Sequence, residues 1–388
     1  MRSLYVVLTS CLLGSQICSA SLIDDLEDAD FGLQPVSAIF DSVTERLDFG
    51  GTASTCDSSS CQSCECVEPL VPNMVGDNGL LSPSVIGGAG TFRYWMNHAS
   101  KVSENNSATP RDRASITWNI SQDVRTGLGP TGGDSSDIQE YKFLWEKTIL
   151  NENASLEVLI PFNHTTEYTR SLSGFNGNSM NTELGDVALG IKALLIGNEN
   201  FKLSTGLRVE LPTEDDRELI GLFTTDNDIW AFTPYMALEV APQDENWYFQ
   251  MFGSARLLSD SFEATPGPIN IQIPDFYMLD ASLGYWLYRN PTGNGVTGIV
   301  PSMEMHYTSA IDPWQPGTLF AAQFGQTDFL NMTAALTTII NDKDTIALAY
   351  AFPLRTNHLS NPGLGINGPT DRMGNGTLLL QYNHYFGR

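Results

Sequence analysis

The residues in this 388-residue chain that could do chemistry are few and scattered. Four of its six cysteines, Cys56, Cys61, Cys64 and Cys66, fall in one Ser/Gly-rich stretch. Cys61-x-x-Cys64 has the spacing of a metal or redox pair. Cys64-x-Cys66 is cramped, however, and no histidine or second CxxC lies near. The favoured expectation is two disulfides stapling a segment without a core of its own, with a metal site or free or lipid-modified thiols as alternatives. The five histidines fall on different expected strands or loops, and none belongs to a short metal-ligand pair. His306 should face the same side as Glu304; a catalytic acid–base pair is conceivable there, and a solvated lumen pair is the simpler reading. No GxSxG, HExxH, Walker or dinucleotide fingerprint occurs. The expectation is therefore a protein that is not an enzyme, with no catalytic residues, no metal and no cofactor.

The remaining candidates are charges placed at every second residue of apolar stretches. Tyr141, Phe143, Trp145 and Ile149 alternate with Glu140, Lys142 and Glu146. Phe201, Leu203, Leu207, Val209 and Leu211 alternate with Lys202, Ser204, Arg208 and Glu210. The same rhythm supplies Glu157, Asp186, Lys192, Glu239, Arg256, Asp280 and Glu304. A period of two marks strands with one apolar and one polar face. Turned towards lipid, each Lys or Arg would cost roughly 2–4 kcal/mol at mid-bilayer, so in a membrane the polar face must line a lumen. Lys142, Asp186, Lys192, Lys202, Arg208, Glu210, Glu239, Arg256, Asp280 and Glu304 are the expected lining. Lys192, Lys202 and Arg208 should form a basic strip facing Glu239, Asp280 and Glu304. Such a lumen is either a polar conduit or a charge network that fills a narrow barrel.

The elements that carry these residues alternate between tight and long links. Asn151–Asn153, Gly197–Asn200, Pro242–Asn246, Asn290–Gly295 and Asn341–Asp344 are short Asn/Asp/Gly-rich turns. Between them lie long connections near 163–183, 212–229, 259–275, 308–328 and 356–374. Strict alternation of this kind distinguishes an up-and-down membrane barrel, with short periplasmic turns, from a Greek-key sandwich. The expected fold is all-β, a transmembrane antiparallel up-and-down β-barrel of about 12 strands counted from Ala114–Asp123. Residues 85–98 are left over, as an extra strand or a segment lying in the lumen.

Three regions are expected: a signal peptide over 1–20, an acidic Cys-containing N-terminal extension with a short helix over 21–84, and the barrel over 85–388. Cleavage should fall after about Ala20, with a lipoprotein signal acylated at Cys11 as the weaker alternative. No later segment approaches the ~20 apolar residues of a membrane helix, so only a closed barrel could cross a bilayer. The net charge of −25 argues against nucleic-acid partners. It suits an exported outer-membrane protein whose partners are lipid, a small-molecule solute and, during insertion, the barrel assembly machinery.

Two short pieces carry a resemblance. Gly185-Asp186-Val187-Ala188-Leu189-Gly190 and Leu211-Pro212-Thr213-Glu214-Asp215 resemble the central hairpin of the bacterial meta-pathway phenol-degradation channel family, with Glu214 where glycine is usual. ENNSATPRDR, residues 104–113, is similar to a stretch that precedes the first strands in planctomycete-like relatives. The resemblance implies an outer-membrane channel or facilitator that passes small solutes, aromatic or hydrophobic ones among them. A structural or adhesive barrel and an outer-membrane enzyme barrel are the rival classes.

Overall fold

The computed structural model describes residues 70–78, 84–87, 90–93, 100–125, 135–170, 176–213, 217–219, 223–225, 228–259, 262–265, 269–271, 275–290, 293–311, 328–355, 358–361, 366–369 and 376–386. The expected signal peptide, the expected helix and Cys56, Cys61, Cys64 and Cys66 lie outside the described residues.

Twelve strands form the wall. They are β1 (Arg113–Arg125), β2 (Ser135–Ile149), β3 (Ala154–Arg170), β4 (Ala188–Gly197), β5 (Phe201–Glu210), β6 (Ala231–Val240), β7 (Trp247–Leu258), β8 (Phe276–Tyr285), β9 (Val296–Ala310), β10 (Asp328–Ile340), β11 (Asp344–Pro353) and β12 (Gly376–Tyr385). Each pairs antiparallel with its neighbours in sequence, and β12 pairs with β1 from Gly376↔Gln122 to Tyr385↔Arg113, which closes the ring. Closure satisfies the ladder on both sides of every strand and leaves no edge for lipid to face. Among the described residues no helix is long and apolar enough to cross a membrane.

The period of two in the sequence becomes two faces of one sheet. Phe143, Trp145, Leu156, Ile191, Leu283, Met303 and Leu348 are exposed on the outside, while Lys142, Glu146, Glu157, Lys192 and Asp280 are buried on the inside. An exposed apolar belt of this extent is untenable in water and is what a lipid-facing wall requires. Tight links close the end at which β1 begins and β12 stops. Leu150, Asn151 and Glu152 turn through positive φ between β2 and β3, and Asn341 and Asp342 do so between β10 and β11. At the opposite end the long connections hold structure that the alternation did not reveal. Arg217–Leu219, Phe223–Thr225, Phe262–Thr265 and Ile269–Ile271 form a four-stranded sheet, and His358–Asn361 pairs with Ile366–Pro369. Asn176–Leu184 extends the pairing of β3 beyond β4.

The first strand of the wall starts at Arg113. Residues 84–87 and 90–93 are a separate two-stranded hairpin. Residues 70–78 and 100–112 lack alternation because they do not pair into the wall; they pack inside it.

Candidate functional site: a charged lumen and the segment that fills it

The first leg, residues 70–78, has its start at the tight-turn end. Leu70 and Val71 pack there with Ala241, Tyr248, Trp286, Val300, Ile339 and Tyr385. Met74 packs with Val102, Ala108, Tyr235, Ala237 and Phe252. Val75 sits on a floor of Ala335, Ala347, Ala349, Ala351 and Leu379. The small side chains of β10 and β11 let the main chain lie close to the wall. The leg reaches Asn78, whose amide donates to Ser121 Oγ at 3.0 Å. The second leg, residues 100–112, runs back to the tight-turn end and leads into β1. Met74 N donates to Asn106 O at 2.9 Å and ties the two legs together.

Polar wall residues hold the main chain of both legs. Glu304 accepts from Val75 N at 2.8 Å and Gly76 N at 2.7 Å. Gln381 donates to Val75 O at 2.6 Å, Thr333 to Gly76 O at 2.9 Å and Gln250 to Pro72 O at 3.1 Å. Ser204 donates to Ala108 O, and Arg208 to Lys101 O at 3.2 Å. Extended peptide in a water-poor lumen must find partners for its N–H and C=O groups, and the polar inner face provides them.

The charges interlock in the same way. Lys101 Nζ lies 3.1 Å from both Asp77 Oδ2 and Asp280 Oδ1. Asp280 also accepts from Ser103 Oγ at 2.8 Å and contacts His306 Nδ1 at 2.9 Å. His306 Nε2 lies 3.4 Å from Glu304. Lys142 Nζ reaches Glu104 at 2.6 Å and Glu140 at 3.0 Å. Arg113 Nε donates to Glu146 at 2.7 Å, and Arg111 Nη1 to Val71 O at 2.8 Å. Asp77, Asp280 and His306 have donor atoms close enough to hold a metal ion. The Lys101 ammonium, equidistant from both carboxylates, already serves as the cation there. At the tight-turn rim, partial burial raises the Asp112 carboxyl, but hydrogen bonds from Lys147 and Thr148 outweigh it and hold the group below the usual carboxylate range.

Two expectations change. Lys192, Lys202 and Arg208 do not form a basic strip, because each meets a carboxylate one or two strands along the wall. Lys192 lies 3.0 Å from Glu146 and 3.3 Å from Glu157, Arg208 3.2 Å from Glu157, and Lys202 3.9 Å from its cross-strand partner Glu239. Interleaved signs neutralise what a reading of one hairpin leaves cationic. Nor is His306 in a solvated pair: it is fully buried under the legs. The other expected lining residues also face inward. Arg256 binds Glu210 at 2.7 Å, Glu239 accepts from Gln250 at 3.0 Å, and Asp186 accepts from Thr213 N at 3.0 Å. Between Glu104, Lys142, Arg208 and Val75 the space left over admits about one water molecule.

The motif pieces have local reasons. Val187 N donates to Thr213 Oγ1 at 2.9 Å, and Thr213 Oγ1 to Gly185 O at 3.0 Å, so Gly-Asp and Leu-Pro-Thr clasp where the β4–β5 pairing ends. Gly190 lies between Glu157 and Arg208 in register; a Cβ there would come within 3.0 Å of the Glu157 carboxylate. The missing side chain lets those two charges meet over β4. Sequence reasoning missed Asp77, Lys101, Glu104, Asn106 and Arg111. Their one signal was a run of polar residues without strand period directly before β1.

A closed polar-lined, lipid-belted ring of twelve strands defines an outer-membrane β-barrel, here with its own preceding segment in the lumen. The chain belongs to the family described as "Putative MetA-pathway of phenol degradation", which matches residues 114–310. The fold is similar to an outer membrane channel from Pseudomonas putida F1, at TM-score 0.50 and 15% identity over 75% of this chain and 98% of that one. The NanC porin aligns at TM-score 0.43 and 7% identity, over 70% of this chain and 100% of that one. The toluene transporter TodX of P. putida aligns at TM-score 0.35 and 7% identity, over 72% and 91%. No curated protein matches the sequence.

Proposed function

We propose that this barrel is an outer-membrane channel or facilitator through which small solutes diffuse, without catalysis or cofactor, and that its lumen segment controls the passage. The carrying observation is a closed wall whose inner face is polar and charged while its outer face is apolar. The family description points to small aromatic compounds as cargo. The tight turns face the periplasm, so the first leg enters from that side, and its withdrawal would open a path beside the second leg. The ten charged lining residues then act through the field they set around the path.

The filled lumen favours one rival, a sealed barrel with a structural or adhesive surface role. Planar-bilayer recording and liposome swelling with the purified full-length protein separate the two. Solute flux is expected for phenol-sized compounds. Absence of both current and swelling would overturn the channel and leave the sealed barrel. Hydrolysis of a chromogenic ester by the same preparation would instead place the protein among enzyme barrels.

A further inference from the structure

We infer that Lys192 and Asn106 become joined by an isopeptide bond, which fixes the second leg covalently to the wall. Lys192 Nζ donates to Asn106 Oδ1 at 2.8 Å. A hydrogen bond of that length puts the nitrogen roughly 3–4 Å from the amide carbon, close to a near-attack distance. Both side chains are completely buried.

The groups around the pair supply what amide exchange needs. Ser107 N–H donates to Asn106 Oδ1 at 2.9 Å, a fixed backbone donor where negative charge would develop on the tetrahedral intermediate. Asn106 Nδ2 donates to Val102 O at 2.8 Å, which fixes the rotamer of the amide. Glu157 Oε1 is buried, accepts no hydrogen bond, and lies 3.3 Å from Lys192 Nζ. A carboxylate held against the ammonium in this way can serve as its base.

The step balances without an oxidant. The neutral Lys192 amine attacks Asn106 Cγ, forming the Nζ–Cγ bond. The Cγ–Nδ2 bond breaks, and the nitrogen leaves as ammonium, carrying both protons that Lys192 gives up; Glu157 relays them and ends as the carboxylate it began as. The reaction runs once per molecule, so even slow chemistry suffices. The structure accommodates such a tether because Asn106 is already the point where the two legs and the wall meet.

Peptide mapping of the protein purified from outer membranes tests this, whether or not the barrel conducts. The expected result is a branched peptide joining the segments that hold Asn106 and Lys192, lighter by one ammonia than the two together. Lys192→Arg and Glu157→Gln should both give only separate linear peptides. Linear peptides carrying unmodified Lys192 and Asn106 from the wild type would overturn the proposal. So would a branched peptide that persists in Lys192→Arg. Because the wild type alone decides, a variant that fails to fold leaves the result intact.

Discussion

Replacing Lys101 by methionine probes whether the lumen segment is held by charge. Its ammonium lies 3.1 Å from Asp77 and 3.1 Å from Asp280, with all three side chains almost fully buried. Removing one member of a buried ionic group costs about 3–5 kcal/mol, because the partner charges remain and water does not replace the lost one. The acids here keep other partners: Asn331 donates to Asp77 at 2.8 Å, and Ser103 and His306 stay on Asp280. The expected loss is therefore at the low end, ~3 kcal/mol, a shift of roughly a hundredfold in the folding equilibrium. Urea unfolding in detergent micelles, read as the fast-migrating folded band of unboiled samples, measures it. Adding Asp77→Asn to Lys101→Met removes the orphaned charge and should restore stability to within ~1 kcal/mol of wild type. A single variant as stable as wild type, or a double variant no better than the single, would refute the electrostatic account.

Other perturbations test separate parts of the structure. Gly206→Ala places a Cβ 2.3 Å from the Tyr235 ring and 2.5 Å from Ile191 O, so a loss of ~1–3 kcal/mol is expected in the same unfolding assay. Glu304→Gln keeps shape but weakens the two bonds to Val75 N and Gly76 N by ~1–2 kcal/mol; bilayer recording should show about tenfold more frequent opening. Asp112 is held below its ordinary carboxylate value, so its contribution is present above that value and lost as pH falls through the lowered one. Acid titration of stability should accordingly show wild type and Asp112→Asn converging at low pH. Cys56, Cys61, Cys64 and Cys66 should resist alkylation without reductant, and four labelled thiols in a mass spectrum would reverse that expectation.

The wall was legible in the sequence because a strand exposes its period directly. Each second side chain of β2 or β5 belongs to one face, and lipid outside and charge inside leave one assignment open. The alternation of tight and long links fixed the strand order and the antiparallel pairing, since a short turn admits no other neighbour. Even the Gly-Asp and Leu-Pro-Thr pieces were visible as a hairpin, although their clasp through Thr213 was not.

What fills the wall was decided by the tertiary structure alone. Glu157, Arg208 and Lys192 are separated by strands and turns, and only the register across Gly190 shows that they share one site. Residues 70–78 and 100–112 have no strand period, since their main chain bonds to side chains such as Glu304, Gln381 and Gln250 and not to a neighbouring strand. Local pattern reports which face a residue takes within its own strand. Whether an inward charge meets water, an opposite charge or a buried peptide depends on what lies across the barrel, and that is set by closure between Arg113 and Tyr385.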